Sequence, residues 1–365
     1  MKLVFIARNY PPDVGGAEKL NYDLACNLSK HLDLKVISNN FGKYSPLFYI
    51  YAFLKLFLLW ARRDVDTVFL SDALLSPLIP FLKIFRKPVV VKVHGLDITY
   101  PNRVYQSVVP RFTNMANKII CISEATREEC LRRGIKADKC SVITVGIDFN
   151  EFYLDGDRGE FRRQISKIIG IDLTEREILL SVGRLVERKG FHWFIENIMP
   201  KLIEKRREIL YLIAGDGVMK ERIEESIREK TVQDYVLLLG EVNVDTLKLL
   251  YNASDIFIMP NIKVKGDMEG FGIVALEASS CALPVIASRL EGIQNAIEDG
   301  CNGFLVEPYN ISDYVNRINE LIDNDQKRKD FGERAREFTL GNFGWEGIAK
   351  EYFEEFWELI QGENN

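Results

Sequence analysis

The chain has 365 residues, of which 47% are hydrophobic and 28% are charged. This length exceeds what a single hydrophobic core usually supports, so we expect two domains of roughly 150 to 200 residues each. The composition is typical of a folded globular protein and excludes an intrinsically disordered chain or a collagen-like fibre.

Charge is unevenly distributed along the chain. Residues 1–150 carry 21 Lys and Arg against 13 Asp and Glu, whereas residues 151–365 carry 27 against 40. A basic first half indicates an anionic partner such as a lipid surface or a phosphorylated acceptor, and a chance distribution of charge is the alternative. We expect no nucleic acid among the partners.

The stretch from Pro46 to Trp60 is the most apolar of the chain and is followed by Arg62 and Arg63. It is too short to span a bilayer core, which needs roughly 20 apolar residues. We expect a buried helix here, and an interfacial helix on an anionic membrane is the alternative. Because no secretory leader is evident, we expect a cytoplasmic protein, with peripheral contact to the inner face of the membrane.

Six cysteines are spread along the chain: Cys26, Cys121, Cys130, Cys140, Cys281 and Cys301. They form no C-x-x-C pair, and no histidine stands at the spacing of a metal site. We therefore expect buried free thiols in a reducing compartment, and no metal-binding site.

Short continuous apolar runs recur along the chain and alternate with segments whose apolar residues follow helical spacing. Such runs are typical of strands buried on both faces of a parallel sheet. In the first half the predicted strands are KLVFIA, LKVIS, DTVFL, PVVVKVHG, KIICIS and CSVITVG. In the second half they are EILLSVGR, LYLIAGDG, YVLLLGE, DIFIMPN, LPVIAS and GFLVEP. The alternation predicts an α/β protein with two Rossmann-like, doubly wound domains.

The apolar runs stop near residues 149–172, which we interpret as the connection between the domains. We predict an N-terminal domain of residues 1–155, a C-terminal domain of residues 156–342, and a helix of residues 343–365 that crosses back to the first domain. Open α/β sheets bind ligands at the carboxyl ends of their strands. We therefore expect the functional site in a cleft where the two domains face each other.

The segment MEGFGIVALEASS contains the sharpest functional signal. Glu277 is the only charged residue of an apolar helix, and a carboxylate there is costly unless it has a specific hydrogen-bonding partner such as a ribose diol. Glu269 precedes it with seven residues between, and Gly270 and Gly272 permit close approach of a ligand to the backbone. The start of this helix is also suited to binding a phosphate. A structural ion pair and a tight turn are the alternative.

These residues resemble family 4 of the glycosyltransferases, whose members have the two-domain fold called GT-B. The resemblance covers nearly the whole chain, and the two glutamates are its most specific element. It implies that Glu277 binds the donor ribose and that Glu269 contacts the transferred sugar. It also implies that the backbone of Phe271, Gly272 and Ile273 contributes to sugar and phosphate binding, in a C-terminal domain that holds the donor.

The segment SVGRLVERKG carries Arg184 and Lys189 after a predicted strand and at the start of a helix. Two cations so placed are able to hold one diphosphate while negative charge returns to the leaving group. Solvated surface cations are the alternative. In the resembled family the matching Arg and Lys clamp the diphosphate, which implies the same role here and explains a reaction without metal.

The segment NYPPDVGGAE places Gly15 and Gly16 before a predicted helix, in a turn suited to an anion. It replaces the G-x-G-x-x-G of a nicotinamide-binding fold, so a dehydrogenase is disfavoured. It is similar to the P-x-x-G-G-x-E segment of family 4. The similarity implies that Gly16 approaches the donor phosphate and sugar.

Three further segments match the family. His94 and Asp97 fit its H-G-x-D, which implies a contact with the donor hexose, and a structural histidine is the alternative. Gly215 and Gly217 fit a G-x-G that faces the nucleotide, although a plain turn explains them equally well. Ser123, with Thr126, fits S-x-x-T, but we favour a simple helix cap there.

The resemblance implies a retaining glycosyltransferase that moves a hexose from a UDP- or GDP-hexose to an acceptor and needs no metal or other cofactor. The basic first half and the apolar stretch favour a saccharide or lipid-linked acceptor in cell-envelope polysaccharide or glycolipid synthesis. No two carboxylates stand as the nucleophile and acid of a retaining glycosidase, so we expect a front-face reaction. The alternatives are an epimerase or hydrolase of the same architecture, which acts without acceptor, and a non-catalytic nucleotide-sugar-binding protein.

Overall fold

The computed structural model describes residues 1–12, 15–39, 41 and 46–364. The chain divides into two compact units. The first unit comprises Met1–Gly146, Gly266–Phe271 and Trp345–Asn365, and the second comprises Ile147–Lys265 and Gly272–Gly344. Asp13 and Val14, which belong to the predicted anion-binding turn, lie outside the described residues.

The first unit is built on a six-stranded parallel sheet with the strand order β2-β1-β3-β4-β5-β6. The strands are β1 (Lys2–Ala7), β2 (Asp33–Ser38), β3 (Thr67–Leu70), β4 (Val89–Val93), β5 (Lys118–Cys121) and β6 (Cys140–Val142). The helices are α1 (Gly16–Leu28), α2 (Leu47–Ala61), α3 (Ile79–Leu82), α4 (Leu96–Thr99), α5 (Arg103–Thr113) and α6 (Glu124–Arg132). Short 3-10 helices cover Ala73–Leu78, Lys83–Phe85 and Ala137–Lys139.

The second unit contains a six-stranded parallel sheet with the strand order β12-β11-β10-β7-β8-β9. The strands are β7 (Glu177–Val182), β8 (Ile209–Ala214), β9 (Val236–Gly240), β10 (Ile256–Met259), β11 (Val285–Ser288) and β12 (Phe304–Val306). The helices are α7 (Phe149–Phe152), α8 (Arg158–Ile169), α9 (Phe191–Asn197), α10 (Met199–Ile203), α11 (Lys220–Glu229), α12 (Val244–Ala253), α13 (Ile273–Ser280), α14 (Ile293–Ala296), α15 (Ile311–Ile322) and α16 (Asp325–Asn342). A 3-10 helix covers Glu187–Lys189.

The last helix, α17 (Trp345–Asn364), belongs to the first unit although it follows the second in sequence. Its Tyr352 and Phe356 are buried, and their rings lie 5.8 and 5.2 Å from the ring of Phe69. Lys118 at the start of β5 forms an ion pair with Glu355 at 2.8 Å. Apolar burial and this ion pair therefore attach α17 to the first sheet.

Each sheet contains a position where the strand order reverses. In the first unit β1 lies between β2 and β3, and in the second unit β7 lies between β8 and β10. The connections diverge at such a point and leave room above the carboxyl ends of the strands for a ligand. The loops that follow β1 and β7 are therefore the natural ligand-binding loops of their units.

The predicted fold class is confirmed, because the described residues contain each of the twelve predicted strands. Two local expectations are corrected. The six cysteines are free, but Cys26 and Cys301 are exposed rather than buried. The apolar stretch forms α2, but α2 buries only one face: Phe48, Ala52 and Leu56 reach the core, whereas the other face stays exposed.

Candidate functional site

The two glycines at the start of α1 have different surroundings among the described residues. A Cβ on Gly15 would lie 2.3 Å from Oε2 of Glu18, because the buried Glu18 side chain folds back against the start of the helix. A Cβ on Gly16 would meet no atom of the described residues within 4 Å. Gly16 begins α1, and the N-terminus of a helix favours an anion. Its contact with donor phosphate stays a prediction.

The turn that follows β4 is organised by the carboxylate of Asp97. Its Oδ1 accepts the backbone N–H of His94 at 2.8 Å, and its Oδ2 accepts the backbone N–H of Ala73 at 3.0 Å. The Nε2 of His94 lies 2.9 Å from the carbonyl oxygen of Ser71. A carbonyl oxygen only accepts, so Nε2 carries the hydrogen and Nδ1 is the acceptor of the ring.

Burial sets the protonation of this turn. It lowers the pKa of His94 to about 3, with a further contribution from the nearby ammonium of Lys92. Burial also raises the pKa of Asp97 to about 6, against the hydrogen bonds that it accepts. The imidazole is therefore neutral at pH 7 and can accept a hydrogen bond from a sugar hydroxyl, but it cannot act as a cationic acid.

The segment of residues 266–271 lies directly on the turn after β4. A Cβ on Gly270 would stand 2.1 Å from the carbonyl oxygen of His94, and a Cβ on Gly95 would stand 3.2 Å from Sδ of Met268. Glu269 and Phe271, on either side of Gly270, are buried. The first unit thus brings Glu269, Gly270 and Phe271 to His94, a contact that the sequence analysis did not predict.

The loop after β7 carries the two predicted phosphate-binding cations in different environments. Arg184 is exposed and has no hydrogen bond or ion pair with the described residues. Lys189, at the end of the 3-10 helix, is buried, and its Cε would lie 3.4 Å from a Cβ on Gly183. Arg184 is therefore able to reorient toward an anion, whereas the position of Lys189 is set by the protein.

The glycines after β8 support the loop that bears Arg184. A Cβ on Gly215 would lie 2.0 Å from the carbonyl oxygen of Gly183, and one on Gly217 would lie 2.5 Å from that of Leu185. The Leu185 N–H also donates to the carbonyl oxygen of Asp216 at 2.9 Å. These backbone contacts leave no room for a side chain at either position, which explains why both residues are glycine. The contact of this turn with the nucleotide remains a prediction.

Glu277 has a protein partner that the sequence analysis missed. The hydroxyl of Tyr251, on α12, donates to Oε2 of Glu277 on α13 at 2.7 Å. Tyr251 is almost fully buried, and burial together with the nearby Glu277 carboxylate raises its pKa well above the ordinary value. Glu277 itself remains partly exposed. Tyr251 therefore orients the carboxylate while leaving it access to a ligand.

The start of α13 is shaped by Gly272. It caps the helix with a φ of +94°, a conformation that favours glycine, and a Cβ there would lie 3.0 Å from Cε of Met259. Ile273, the first helical residue, is partly exposed. The Ala275 N–H donates to the Gly272 carbonyl oxygen at 3.0 Å, whereas the backbone N–H groups of Ile273 and Val274 have no intrahelical acceptor, which makes these two donors for an anionic group.

Among residues 1–12, 15–39, 41 and 46–364, no group of three or more His, Cys, Asp or Glu is arranged to hold a metal ion. No helix in the same described part of the chain is long and apolar enough to cross a membrane.

A pocket of about 410 Å³ in the second unit is lined by Arg158, Arg328 and other residues, but by none of the predicted site residues. Ser123 caps α6 by accepting the N–H of Thr126 at 3.1 Å, so the structural interpretation of that pair is confirmed.

Two known families match the chain in tandem. Residues 3–151 match the family described as Glycosyltransferase Family 4. Residues 162–338 match the family described as Glycosyl transferases group 1. The first match covers the β1 to β6 sheet with its helices and ends within α7, and the second covers most of the other unit.

Individual proteins are also similar to this chain in sequence or in structure. An uncharacterized glycosyltransferase of Methanocaldococcus jannaschii is 31% identical over 279 residues, which cover 73% of this chain and 68% of the relative. The GDP-mannose-dependent alpha-(1-6)-phosphatidylinositol monomannoside mannosyltransferase of Mycolicibacterium smegmatis is 25% identical over 293 residues, covering 78% of this chain and 74% of that enzyme. The crystal structure of Anabaena HepE in complex with UDP-glucose superposes with a TM-score of 0.77 at 20% identity, covering 98% of this chain and 100% of HepE. This last likeness supports the two-domain Rossmann-like fold.

Proposed function

The chain belongs to family 4 of the glycosyltransferases, and from this membership we propose that it transfers a hexose from a nucleoside diphosphate sugar with retention of configuration. Glycosyl transfer itself follows from the family. The donor, the acceptor, the stereochemistry and the independence from metal are the parts proposed here.

The donor is a UDP- or GDP-hexose. HepE was solved with UDP-glucose, and the Mycolicibacterium smegmatis relative depends on GDP-mannose. The same relative acts on phosphatidylinositol monomannoside, which supports a saccharide or lipid-linked acceptor and synthesis of envelope polysaccharide or glycolipid. Peripheral contact with an anionic membrane on the cytoplasmic side belongs to the same proposal.

The observation that carries the proposal is the pair of cations on the loop after β7. Arg184 is exposed without a partner in the described residues, and Lys189 is buried against Gly183 of the same loop. As the bond between the hexose and the diphosphate breaks, negative charge grows on the departing oxygen. Two cations at the diphosphate stabilise that negative charge and thereby take the electrostatic role that a metal ion has in other enzymes.

The remaining residues position the two ends of the donor. Glu277, oriented by Tyr251, accepts hydrogen bonds from the ribose hydroxyls. The N–H groups at the start of α13 bind the diphosphate. Glu269 and the neutral ring of His94 contact the hexose, with Nδ1 of His94 as acceptor for a hydroxyl. The departing diphosphate oxygen then takes the proton of the attacking acceptor hydroxyl on the same face of the sugar.

Slow hydrolysis of the donor tests the stereochemical part of this proposal. In the absence of acceptor, water enters on the face that the acceptor would use. With UDP-α-glucose or GDP-α-mannose in a buffer containing EDTA, proton NMR should detect the α-anomer of the free sugar before it mutarotates. Release of the β-anomer, or turnover that requires added divalent metal, would contradict the proposal.

A further inference from the structure

An exposed surface of mixed apolar and basic character covers part of the first unit, on α2 and on residues 79–87. We call it the basic apolar face. Its apolar members are Leu47, Ile50, Leu54, Phe57, Leu58, Phe81 and Ile84. Its basic members are Lys55, Arg62, Arg63, Lys83, Arg86 and Lys87.

The exposure of the apolar members is large. Ile84 is 66% exposed, Ile50 is 60% exposed and Phe81 is 58% exposed. On α2 the exposed positions follow the helical repeat opposite to Phe48, Ala52 and Leu56, which are buried in the core. The helix therefore presents a continuous apolar stripe away from the core, and such a stripe marks an interaction site.

Aromatic contacts join the two segments into one surface. The ring of Phe53 on α2 lies 6.3 Å from that of Phe81 and 5.6 Å from that of Phe85. The ring of Trp60 lies 5.5 Å from that of Phe85, and its Nε1–H donates to the Phe85 carbonyl oxygen at 3.2 Å. Residues 79–87 thus extend the stripe of α2, an extension that the sequence analysis did not predict.

The charges on this face have one sign. Residues 46–63 and 79–87 contain six Lys and Arg but no Asp or Glu. None of these six cations forms an ion pair with a carboxylate among the described residues. Lys55 instead lies 5.6 Å from the ring centre of Tyr51. The face is therefore complementary to a surface that is both apolar and anionic.

From this complementarity we propose that the basic apolar face docks on the surface of a bilayer rich in anionic lipids. Leucine, isoleucine and phenylalanine side chains insert at the level of the headgroups, and the surrounding cations meet lipid phosphates. A second copy of the chain fits less well, because a symmetric contact would place six cations against six. The partner is the lipid surface itself, so this inference rests on the peripheral membrane contact of the proposed function and identifies the face that would bring the enzyme to a lipid-linked acceptor.

Vesicle sedimentation tests the apolar part of this surface. Without nucleotide and at low salt, the wild type should bind vesicles that contain phosphatidylglycerol and should ignore vesicles of phosphatidylcholine alone. Leu54→Glu and Phe81→Glu should each weaken this binding by more than about 10-fold, because the carboxylate opposes both insertion and the anionic surface. Ile168→Glu on α8 is the matched control, because Ile168 is 56% exposed, as is Leu54.

Paired charge variants test the basic part. Arg62→Gln combined with Arg86→Gln should weaken binding to anionic vesicles about 30-fold, since each cation near the surface contributes about 5-fold. Lys205→Gln combined with Lys230→Gln removes two exposed cations of the second unit and should leave the binding unchanged. Every variant should retain the melting temperature of the wild type, which shows that it is folded.

Two results would overturn the inference. The first is a wild type that ignores anionic vesicles, or a Leu54→Glu variant that binds them as the wild type does. The second is a dimer in sedimentation equilibrium that Leu54→Glu converts to monomer, because the face would then belong to a second copy. Vesicle binding is measured without donor, so a failure of the proposed donor chemistry would not affect this outcome.

Discussion

At the scale of single residues, the chemistry depends on a few side chains whose protein partners differ. Arg184 has no partner among the described residues, whereas Glu277 receives a hydrogen bond from Tyr251. A side chain without a partner is available to a ligand, and one with a partner is held in place before the ligand arrives. This difference leads to separate predictions for the two positions.

Replacing Arg184 with Ala removes an exposed cation without disturbing a described contact. We expect turnover to fall by about 10² or more, because the variant stabilises less charge on the departing diphosphate. Steady-state transfer or donor hydrolysis measures the change. Lys205→Ala, which removes an exposed cation elsewhere in the second unit, should retain full activity. Near-normal turnover in Arg184→Ala would exclude the diphosphate role.

Replacing Tyr251 with Phe removes only the hydroxyl that donates to Glu277. We expect nucleotide affinity to fall about 5- to 10-fold, which corresponds to one hydrogen bond that orients the carboxylate. Tyr314→Phe is the matched control, since Tyr314 is also buried and its hydroxyl bonds to Ser288 Oγ at 2.9 Å. Calorimetry should show weaker binding for the first variant and unchanged binding for the second. Equal affinities would mean that Tyr251 has only a packing role.

At the scale of elements, the strands were predictable and the contacts between distant segments were not. An apolar run such as KLVFIA is a local property of the sequence, and the structure forms β1 at this run. The packing of Gly270 on the carbonyl oxygen of His94 joins residues far apart in sequence. Helix α2 shows the same limit, because hydrophobicity alone does not reveal which face the core covers. Tyr251 could not be singled out either, since an isolated tyrosine carries no pattern.

A substitution that adds a single methyl group, Gly270→Ala, tests the contact between residues 266–271 and the turn after β4. In Gly270→Ala the new Cβ would lie 2.1 Å from the His94 carbonyl oxygen, so the segment must move. We expect a lower melting temperature and at least a 10-fold loss of turnover, because Glu269 and His94 lose their common framework.

Gly347→Ala on α17 is the control for this substitution. A Cβ there meets no atom of the described residues within 4 Å and lies in a helix, so the free energy of unfolding should be equal or higher by about 0.5 to 1 kcal/mol. Thermal unfolding and activity assays compare the two variants. A Gly270→Ala enzyme with normal stability and activity would show that the contact is not required.

At the scale of the whole molecule, the two units share one type of sheet topology. A parallel sheet reverses its strand order beside its first strand, and the predicted residues follow β1 and β4 in one unit and β7, β8 and β10 in the other. Local patterns predicted both sheets. They did not predict that residues 266–271 belong to the first unit, because that assignment depends on packing across the full chain. The basic apolar face is likewise a property of the folded unit, since α2 and residues 79–87 are separate in sequence.

The central claim is that the chain binds a nucleoside diphosphate without metal through Glu277, and isothermal titration calorimetry tests it directly. UDP and GDP are titrated in buffer with EDTA into the wild type, Glu277→Ala and Glu277→Gln, where Gln keeps an acceptor for the Tyr251 hydroxyl. We expect the wild type to bind one of the two nucleotides. Glu277→Ala should weaken this binding at least 10-fold, with a smaller loss in Glu277→Gln. A wild type that binds neither nucleotide, or binds only with added divalent metal, would contradict the account.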